Sequence, residues 1–268
     1  DGFPKKLQGS GESSGFFADL NGDKKEEFIT ADGAGVIHAY TSTGGELPGF
    51  PYILDSKAAI MAPIAGGDLN GDGILEIVAA SMDGEIDVID HQGKALPGFP
   101  IRLPPADWNL ANKEHVISQG VIGSPVIVDL DNDSKNDIII VSLDGQVHVY
   151  KNNGQPMPGF PVRIQANGIS AKLVSSPSLT NHVSDQSGYL FAINGRGSKA
   201  GNIYLQGFPV RIPMIRDRTL PTVGSGIPAS PVIGDIDGDG VPEIIVHGFV
   251  GKMYALGFDG KIKKSLDT

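Results

Sequence analysis

The sequence predicts an all-β chain, a β-propeller of four-stranded blades, and three observations carry that reading. Gly-Phe-Pro recurs at Gly2, Gly49, Gly98, Gly159 and Gly207, at spacings of 47, 49, 61 and 48 residues. An acidic nine-residue segment recurs in step with it: DLNGDKKEE from Asp19, DLNGDGILE from Asp68, DLDNDSKND from Asp129 and DIDGDGVPE from Asp235. Each acidic segment runs into two short apolar stretches separated by a turn. Self-similarity at a period near 50 is the mark of a repeat architecture, and four strands per repeat make a propeller blade.

Within a repeat the elements follow in order. A small residue and a proline lead into strand A, as in Ala62-Pro63, Ser124-Pro125 and Ser230-Pro231. The acidic segment joins A to B. Strand B is β-branched, as in Ile138-Ile139-Ile140-Val141, and ends at a turn such as Asp83-Gly84 or Asp144-Gly145, a strong hairpin signal. Strand C alternates, as in Glu85-Ile86-Asp87-Val88-Ile89, which fits a half-buried strand. A glycine turn then leads to Pro-Gly-Phe-Pro and a short strand D. Proline suits that outermost strand because it withholds a donor from the sheet edge. Phe50, Phe99, Phe160 and Phe208 are expected between neighbouring sheets.

These units divide the chain into repeats at 8–54, 55–103, 104–164, 165–212 and 213–268, forming a single domain. The fourth lacks the acidic segment, carries a long C–D turn from Gly195 to Gly201, and is expected to bind no ion. The last repeat has no Gly-Phe-Pro, whereas residues 1–7 carry a strand-D signature. The N-terminal strand is therefore expected to complete the last blade and close a five-bladed ring; the alternative is a window from a longer propeller.

In each acidic segment, positions 1, 3, 5 and 9 bear side-chain oxygens and position 7 offers a backbone carbonyl. The ligand sets are Asp19, Asn21, Asp23, Lys25 and Glu27; Asp68, Asn70, Asp72, Ile74 and Glu76; Asp129, Asp131, Asp133, Lys135 and Asp137; Asp235, Asp237, Asp239, Val241 and Glu243. Six to eight oxygens suit Ca²⁺, and Mg²⁺ demands a stricter octahedron, so up to four calcium ions are expected. Segment 235–243 has the best composition. Segment 129–137 lacks glycine, and segment 19–27, with Lys24 where glycine is favoured, is the weakest. Asp, Asn and Gly also make plain surface turns, but four copies in register with a second repeat element disfavour that alternative.

Charge agrees. The proposed side-chain ligands hold −14, leaving 17 of the 31 acids against 21 Lys and Arg. The net charge of −10 excludes nucleic acid as an expected partner, and no apolar run spans a membrane. Modest calcium sites fill at extracellular calcium levels. The chain opens at Asp1 without methionine, as a mature or excised chain would, and an extracellular, cell-surface or periplasmic location is expected.

The stretch Ser230-Pro231-Val232-Ile233-Gly234-Asp235-Ile236-Asp237-Gly238-Asp239-Gly240-Val241-Pro242-Glu243-Ile244-Ile245-Val246 resembles an FG-GAP (VCBS-type) repeat, the repeat of bacterial surface proteins and of the integrin α-subunit propeller. The second and third copies match well, the first less so, and the fourth keeps only the frame. The resemblance implies calcium-binding blades, an extracellular setting and adhesion or ligand binding. Family propellers often have seven blades, against five repeats here, and similar propellers occur in some polysaccharide lyases.

Catalytic signals are weak, so the chain is expected not to be an enzyme. Gly11-Glu12-Ser13-Ser14-Gly15 matches a nucleophile-elbow pattern without its strand–turn–helix setting. The six histidines show no metal-ligand spacing, and there is no cysteine. Arg102, Arg163 and Arg211 follow Gly-Phe-Pro in register and are read as solvated strand positions paired with acids. The candidate partner-binding residues lie on two long connections: Trp108, Asn109 and Asn112 on one, Arg216 and Arg218 on the other. A protein or glycan is the expected partner. The alternatives are a carbohydrate-active enzyme such as a lyase, or a structural subunit of a larger extracellular assembly.

Overall fold

The computed structural model describes residues 2–104, 119–166, 169–170, 172–173, 179–182, 187–212, 230–247 and 252–267. It contains five four-stranded antiparallel sheets, each built from consecutive strands. Sheet one holds β1 (Phe16–Ala18), β2 (Glu27–Ala31), β3 (Val36–Tyr40) and β4 (Tyr52–Ile53). Sheet two holds β5 (Ala65–Gly67), β6 (Glu76–Ala80), β7 (Glu85–Ile89) and β8 (Ile101–Arg102). Sheet three holds β9 (Val126–Val128), β10 (Asp137–Val141), β11 (Gln146–Tyr150) and β12 (Val162–Arg163). A two-stranded pair, β13 (Gln165–Ala166) and β14 (Ile169–Ser170), precedes sheet four, which holds β15 (Lys172–Leu173), β16 (Leu179–His182), β17 (Ser187–Leu190) and β18 (Val210–Ile212). Sheet five holds β19 (Val232–Gly234), β20 (Glu243–His247), β21 (Lys252–Leu256) and β22 (Ile262–Asp267). These are the A-to-D units expected from the repeats, and the fold is that of a β-propeller. No helix among the described residues is long and apolar enough to cross a membrane.

One expectation is corrected. The fourth place in sheet five belongs to β22, whose Ser265 faces Tyr254 and whose Leu266 faces Met253, and not to the N-terminal segment. Residues 2–7 lie in no strand. Gly-Phe-Pro is not what makes an outer strand. A glycine turn at Gly260 and a following extended run are enough to return the chain along β21.

The chain forms two compact units, residues 1–143 with 148–157 and residues 144–147 with 158–268. In the first, alanines and β-branched residues from facing sheets interlock. Ile29, Ala31 and Ala39 of sheet one pack with Ile77, Ala79 and Ile89 of sheet two. Val78, Ala80 and Val88, on the other face of sheet two, pack with Ile138, Ile140 and Tyr150. In the second unit, Leu190, Phe208 and Ile212 pack with Ile244, Val246 and Leu256. At ~25 cal/mol per Å² of apolar surface, the burial of alternate residues on both faces stabilises these thin sheets.

Gly-Phe-Pro acts at these junctions. The glycine has φ between +90° and +108° at Gly49, Gly98, Gly159 and Gly207, a region that side chains avoid. Each also presses on the C–D turn of the next sheet: a Cβ on Gly49 would lie 1.9 Å from the Gln92 carbonyl oxygen, and one on Gly207 would lie 1.9 Å from that of Asp259. Phe50 and Phe208 are buried in the cores. Phe99 packs against the core of sheets two and three.

Candidate functional site

The four acidic segments share one backbone path. Positions 4 and 6 take left-handed conformations throughout: Gly22 and Lys24, Gly71 and Gly73, Asn132 and Ser134, and Gly238 and Gly240, with φ from +60° to +85°. Glycine is favoured there because it alone meets no Cβ penalty. The side chain at position 1 closes each curl. Asp68 accepts the N–H of Gly71 on Oδ1 (2.6 Å) and that of Gly73 on Oδ2 (3.0 Å), and Asp235 accepts those of Gly238 (2.7 Å) and Gly240 (2.9 Å). Asp19 and Asp129 do the same for Lys24 (2.8 Å) and Ser134 (2.9 Å). The carboxylate at position 5 accepts the N–H of position 7, at 2.8–2.9 Å, for Lys25, Ile74, Lys135 and Val241. These are the Asx turns that the composition allows. They also aim the remaining oxygens inward.

Position 9 is the first residue of strand B in every copy. Glu27, Glu76, Asp137 and Glu243 are therefore buried. One oxygen of each accepts the N–H of position 2: Leu20 (3.1 Å), Leu69 (2.7 Å), Leu130 (3.0 Å) and Ile236 (3.0 Å). The second oxygen faces the loop, and its partner differs between copies. In segments 19–27 and 68–76 position 3 is asparagine, and its amide donates to the position-9 carboxylate, at 3.3 Å for Asn21 and 2.9 Å for Asn70. In segments 129–137 and 235–243 position 3 is aspartate, and a lysine ammonium enters the ring. Lys151 Nζ bonds Asp131 (2.6 Å) and Asp133 (2.9 Å) and lies 3.4 Å from Asp137. Lys263 Nζ bonds Glu243 (2.5 Å) and Asp239 (3.4 Å) and lies 3.6 Å from Asp237.

The electrostatics follow from burial and these donors. Burial pushes the Glu27 and Glu76 carboxyls above the usual range against the loop N–H groups, and the neighbouring aspartates add to the push. Burial raises Asp137 too, opposed by the Leu130 N–H and by Lys151. The Lys151 bond holds exposed Asp133 below the usual range. The Lys151 ammonium is held well above its ordinary pKa by three carboxylates in spite of its own desolvation, and Lys263 is held up first by Glu243.

The donor sets suit a hard cation. Oxygens of Asp129, Asp131 and Asp137 lie within 4.8 Å of one another, as do those of Asp235, Asp237 and Asp239. Asp137 Oδ1 is buried without a hydrogen bond, and its contact with the Lys151 ammonium is an ion pair at 3.4 Å. The two lysines were not legible as site residues. Lys151 follows β11 and Lys263 lies in β22, at places where the other repeats carry no lysine.

Other candidates resolve as structure or fall outside the description. Ser13 Oγ donates to the Ala62 carbonyl at 2.8 Å, an interlock between the approach to β1 and the approach to β5. Arg102 bonds Glu85 (2.6 Å) and Asp83 (3.1 Å), and Arg163 bonds the Asp144 carbonyl (3.0 Å). In sheet four the residues between β15 and β16, 174–178 (Val-Ser-Ser-Pro-Ser), lie outside the described residues and include no acid in the sequence. Trp108, Asn109, Asn112, Arg216 and Arg218 lie outside the described residues.

Residues 19–108 match the family described as FG-GAP-like repeat. A comparison with curated protein sequences finds no match. Among solved structures, the chain is similar to the Vibrio cholerae biofilm matrix protein Bap1, at 18% identity and a TM-score of 0.55, over 96% of this chain and 39% of that one. It is similar to BBS1N, solved in complex with ARL6DN, at 12% identity and a TM-score of 0.53, over 97% of this chain and 70% of that one. It is also similar to BamB from Moraxella catarrhalis, at 16% identity and a TM-score of 0.54, over 98% and 63%. The chain thus spans about two fifths of Bap1 and under two thirds of BamB.

Proposed function

Starting from the chain as an FG-GAP-repeat β-propeller, we propose that it is a calcium-stiffened binding or assembly module that works outside the cytoplasm. The observation that carries this reading is the buried carboxylate at position 9 of all four acidic loops, one oxygen tied to the loop backbone and the other turned to the loop interior. A cation held there by positions 1, 3, 5 and 9, with the position-7 carbonyl, would join the A–B connection to the head of strand B. It would supply charge neutralisation and rigidity, with no bond made or broken. Two similar folds fit the use of such a frame: Bap1 is a biofilm matrix protein, and BBS1N was solved bound to ARL6DN. The contact surface in this reading includes Trp108, Asn109, Asn112, Arg216 and Arg218, with a protein or glycan as partner.

Thermal unfolding in excess chelator and again after calcium add-back tests the ion. One site filled at a hundred times its Kd contributes about 2.7 kcal/mol, so the melting temperature rises by several degrees. Equal melting temperatures in chelator and in millimolar calcium overturn the reading. Binding of wild type and Trp108→Ala to a glycan array tests the surface; loss in the variant is expected, and equal binding removes Trp108 from it.

A further inference from the structure

Loops 68–76 and 129–137 meet across the junction of sheets two and three, inside the first compact unit. Two asparagines donate from the sheet-three side to the backbone of the sheet-two loop. Asn136 Nδ2 bonds the Asp68 carbonyl at 2.8 Å, and Asn152 Nδ2 bonds the Leu69 carbonyl at 3.1 Å. Both acceptors belong to the ring of loop 68–76. Asp68 is its position-1 carboxylate, and Leu69 gives its N–H to the buried Glu76 at 2.7 Å. Asn136 belongs in turn to the ring of loop 129–137. It stands at position 8, between the Lys135 carbonyl and the Asp137 carboxylate, two of the proposed ligands. Asn152 sits instead on a turn that closes on itself, with the Lys151 N–H on the Gln155 carbonyl (2.8 Å) and the Gly154 N–H on the Lys151 carbonyl (2.9 Å).

The junction of sheets one and two lacks both bonds. Position 8 of loop 68–76 is Leu75, which has no side-chain donor and packs against the apolar core. His91 stands two residues after β7, as Asn152 stands two after β11, and its Nδ1 is buried with no hydrogen-bond partner. Among the described residues, no side chain of 65–102 bonds the backbone of loop 19–27.

We propose that Asn136 couples the cation sites of loops 68–76 and 129–137, so that filling either tightens the other, while loop 19–27 fills independently. The coupling rests on the proposed reading of these loops as calcium sites. Its sign follows from ordering. Asn136 has a proposed ligand on each side, so closure of loop 129–137 on a cation would fix it, and its amide then holds the Asp68 peptide with less freedom left to lose. A site already ordered binds more tightly, and linkage makes the gain equal in both directions. The turn that carries Asn152 is held by its own backbone bonds whether or not the ring is filled. Asn152 therefore supports loop 68–76 without carrying the coupling, and Asn136 is the positioning residue.

The test reads calcium binding at loop 68–76 alone, as hydrogen-exchange protection of the Leu69 amide by NMR against calcium concentration. Loop 129–137 is disabled by Asp131→Ala with Asp133→Ala, both exposed. With Asn136 in place, that change is expected to weaken binding at loop 68–76 about fivefold, the lower end of ordinary coupling between sites. In the Asn136→Leu chain, which takes the residue that Leu75 supplies at the same place, it is expected to weaken binding by less than twofold. Asn136→Ala repeats the comparison if the leucine variant does not fold. Asn152→His should weaken loop 68–76 and leave the fivefold effect intact, which a merely structural role for Asn136 would not predict. The proposal is overturned if disabling loop 129–137 leaves loop 68–76 unchanged, or changes it equally with and without Asn136. Leu69 exchange indifferent to calcium in the wild type is a separate outcome: it removes the ion from loop 68–76, and the coupling goes with it.

Discussion

Loops 68–76 and 235–243 have the same backbone and opposite internal chemistry. Both curl around an aspartate at position 1 and both bury a glutamate at position 9. In the first, Asn70 bonds Glu76 with a neutral amide; in the second, Asp237 adds a charge and Lys263 brings the ammonium that answers it. Loops 19–27 and 129–137 repeat the contrast with Asn21 and Lys151. One residue at position 3 thus decides whether the ring is quieted by a dipole or by a counter-ion. In the proposed reading a lysine in the ring stands where a divalent cation would stand, and the two would compete.

The largest expected effect comes from removing the buried carboxylate. Glu76→Leu strands the N–H groups of Leu69 and Asn70, while the Asn70 amide keeps Asp72 (3.1 Å), and Leu69 is fully buried, beyond the reach of water. Urea denaturation in chelator should show a loss of about 3–4 kcal/mol. Glu243→Leu strands the N–H of Ile236, which is 47% exposed and can turn to solvent, so the loss should be less than half as large. Equal losses would show that the two loops do not differ in the way described.

A buried acid outside the loops calibrates both. Asp87 has neither amide nor ammonium; burial raises its carboxyl from 3.8 to about 6 against the Tyr52 hydroxyl, 2.5 Å away, and the Val88 N–H. The unfolded chain gives up this proton near pH 3.8, whereas the native one keeps it to about 6. Native protein therefore binds more protons in that window, and stability falls as pH rises through it. Two pKa units correspond to about 3 kcal/mol, fully present below pH 4 and gone above 6. Stability curves of wild type and Asp87→Asn should differ in slope by that amount between those limits. Parallel curves would mean that Asp87 is ionised without penalty.

Competition between lysine and cation gives the next effect. Lys151→Met leaves three carboxylates of loop 129–137, those of Asp131, Asp133 and Asp137, without their ammonium. In chelator the variant should melt below wild type. In calcium it should bind on the order of tenfold more tightly by calorimetry, which is about 1.4 kcal/mol. The Asn70 loop has no ammonium to remove among the described residues, so Lys94→Met, a change of an exposed lysine whose ammonium bonds Gln92, serves as the silent control.

The frame was legible because it repeats: a tripeptide, an acidic loop and two alternating strands recur in step, and periodicity survives local noise. The loop ligands were legible for the same reason. Lys151 and Lys263 were not, because each occurs once and reaches the ring through tertiary placement. The ends are the exception. In the sequence Gly-Phe-Pro marks an outer strand, so its presence at Gly2 and absence after Gly257 predict that the first segment completes the last sheet. The glycine's contact shows its use, which is to let the chain press on the next sheet's turn; strand pairing needs only the extended run that Ile262–Asp267 provides.

Backbone strain separates the loops by the smallest margin. Lys24 and Ser134 stand at position 6 with φ of +67° and +66°, where Gly73 and Gly240 stand at +84°. A side chain in this region costs about 1 kcal/mol, partly offset by the smaller unfolded-state entropy of a non-glycine residue. Ser134→Gly and Lys24→Gly should each raise stability by about 0.5 kcal/mol in chelator, and Gly73→Ser should lower it by a similar amount. The Asp129 bond to the Ser134 N–H matches the Asp68 bond to that of Gly73, so the substitution changes strain and leaves the curl in place. If Ser134→Gly is neutral while Gly73→Ser is costly, the difference lies in what surrounds the two loops and not in the left-handed turn that they share.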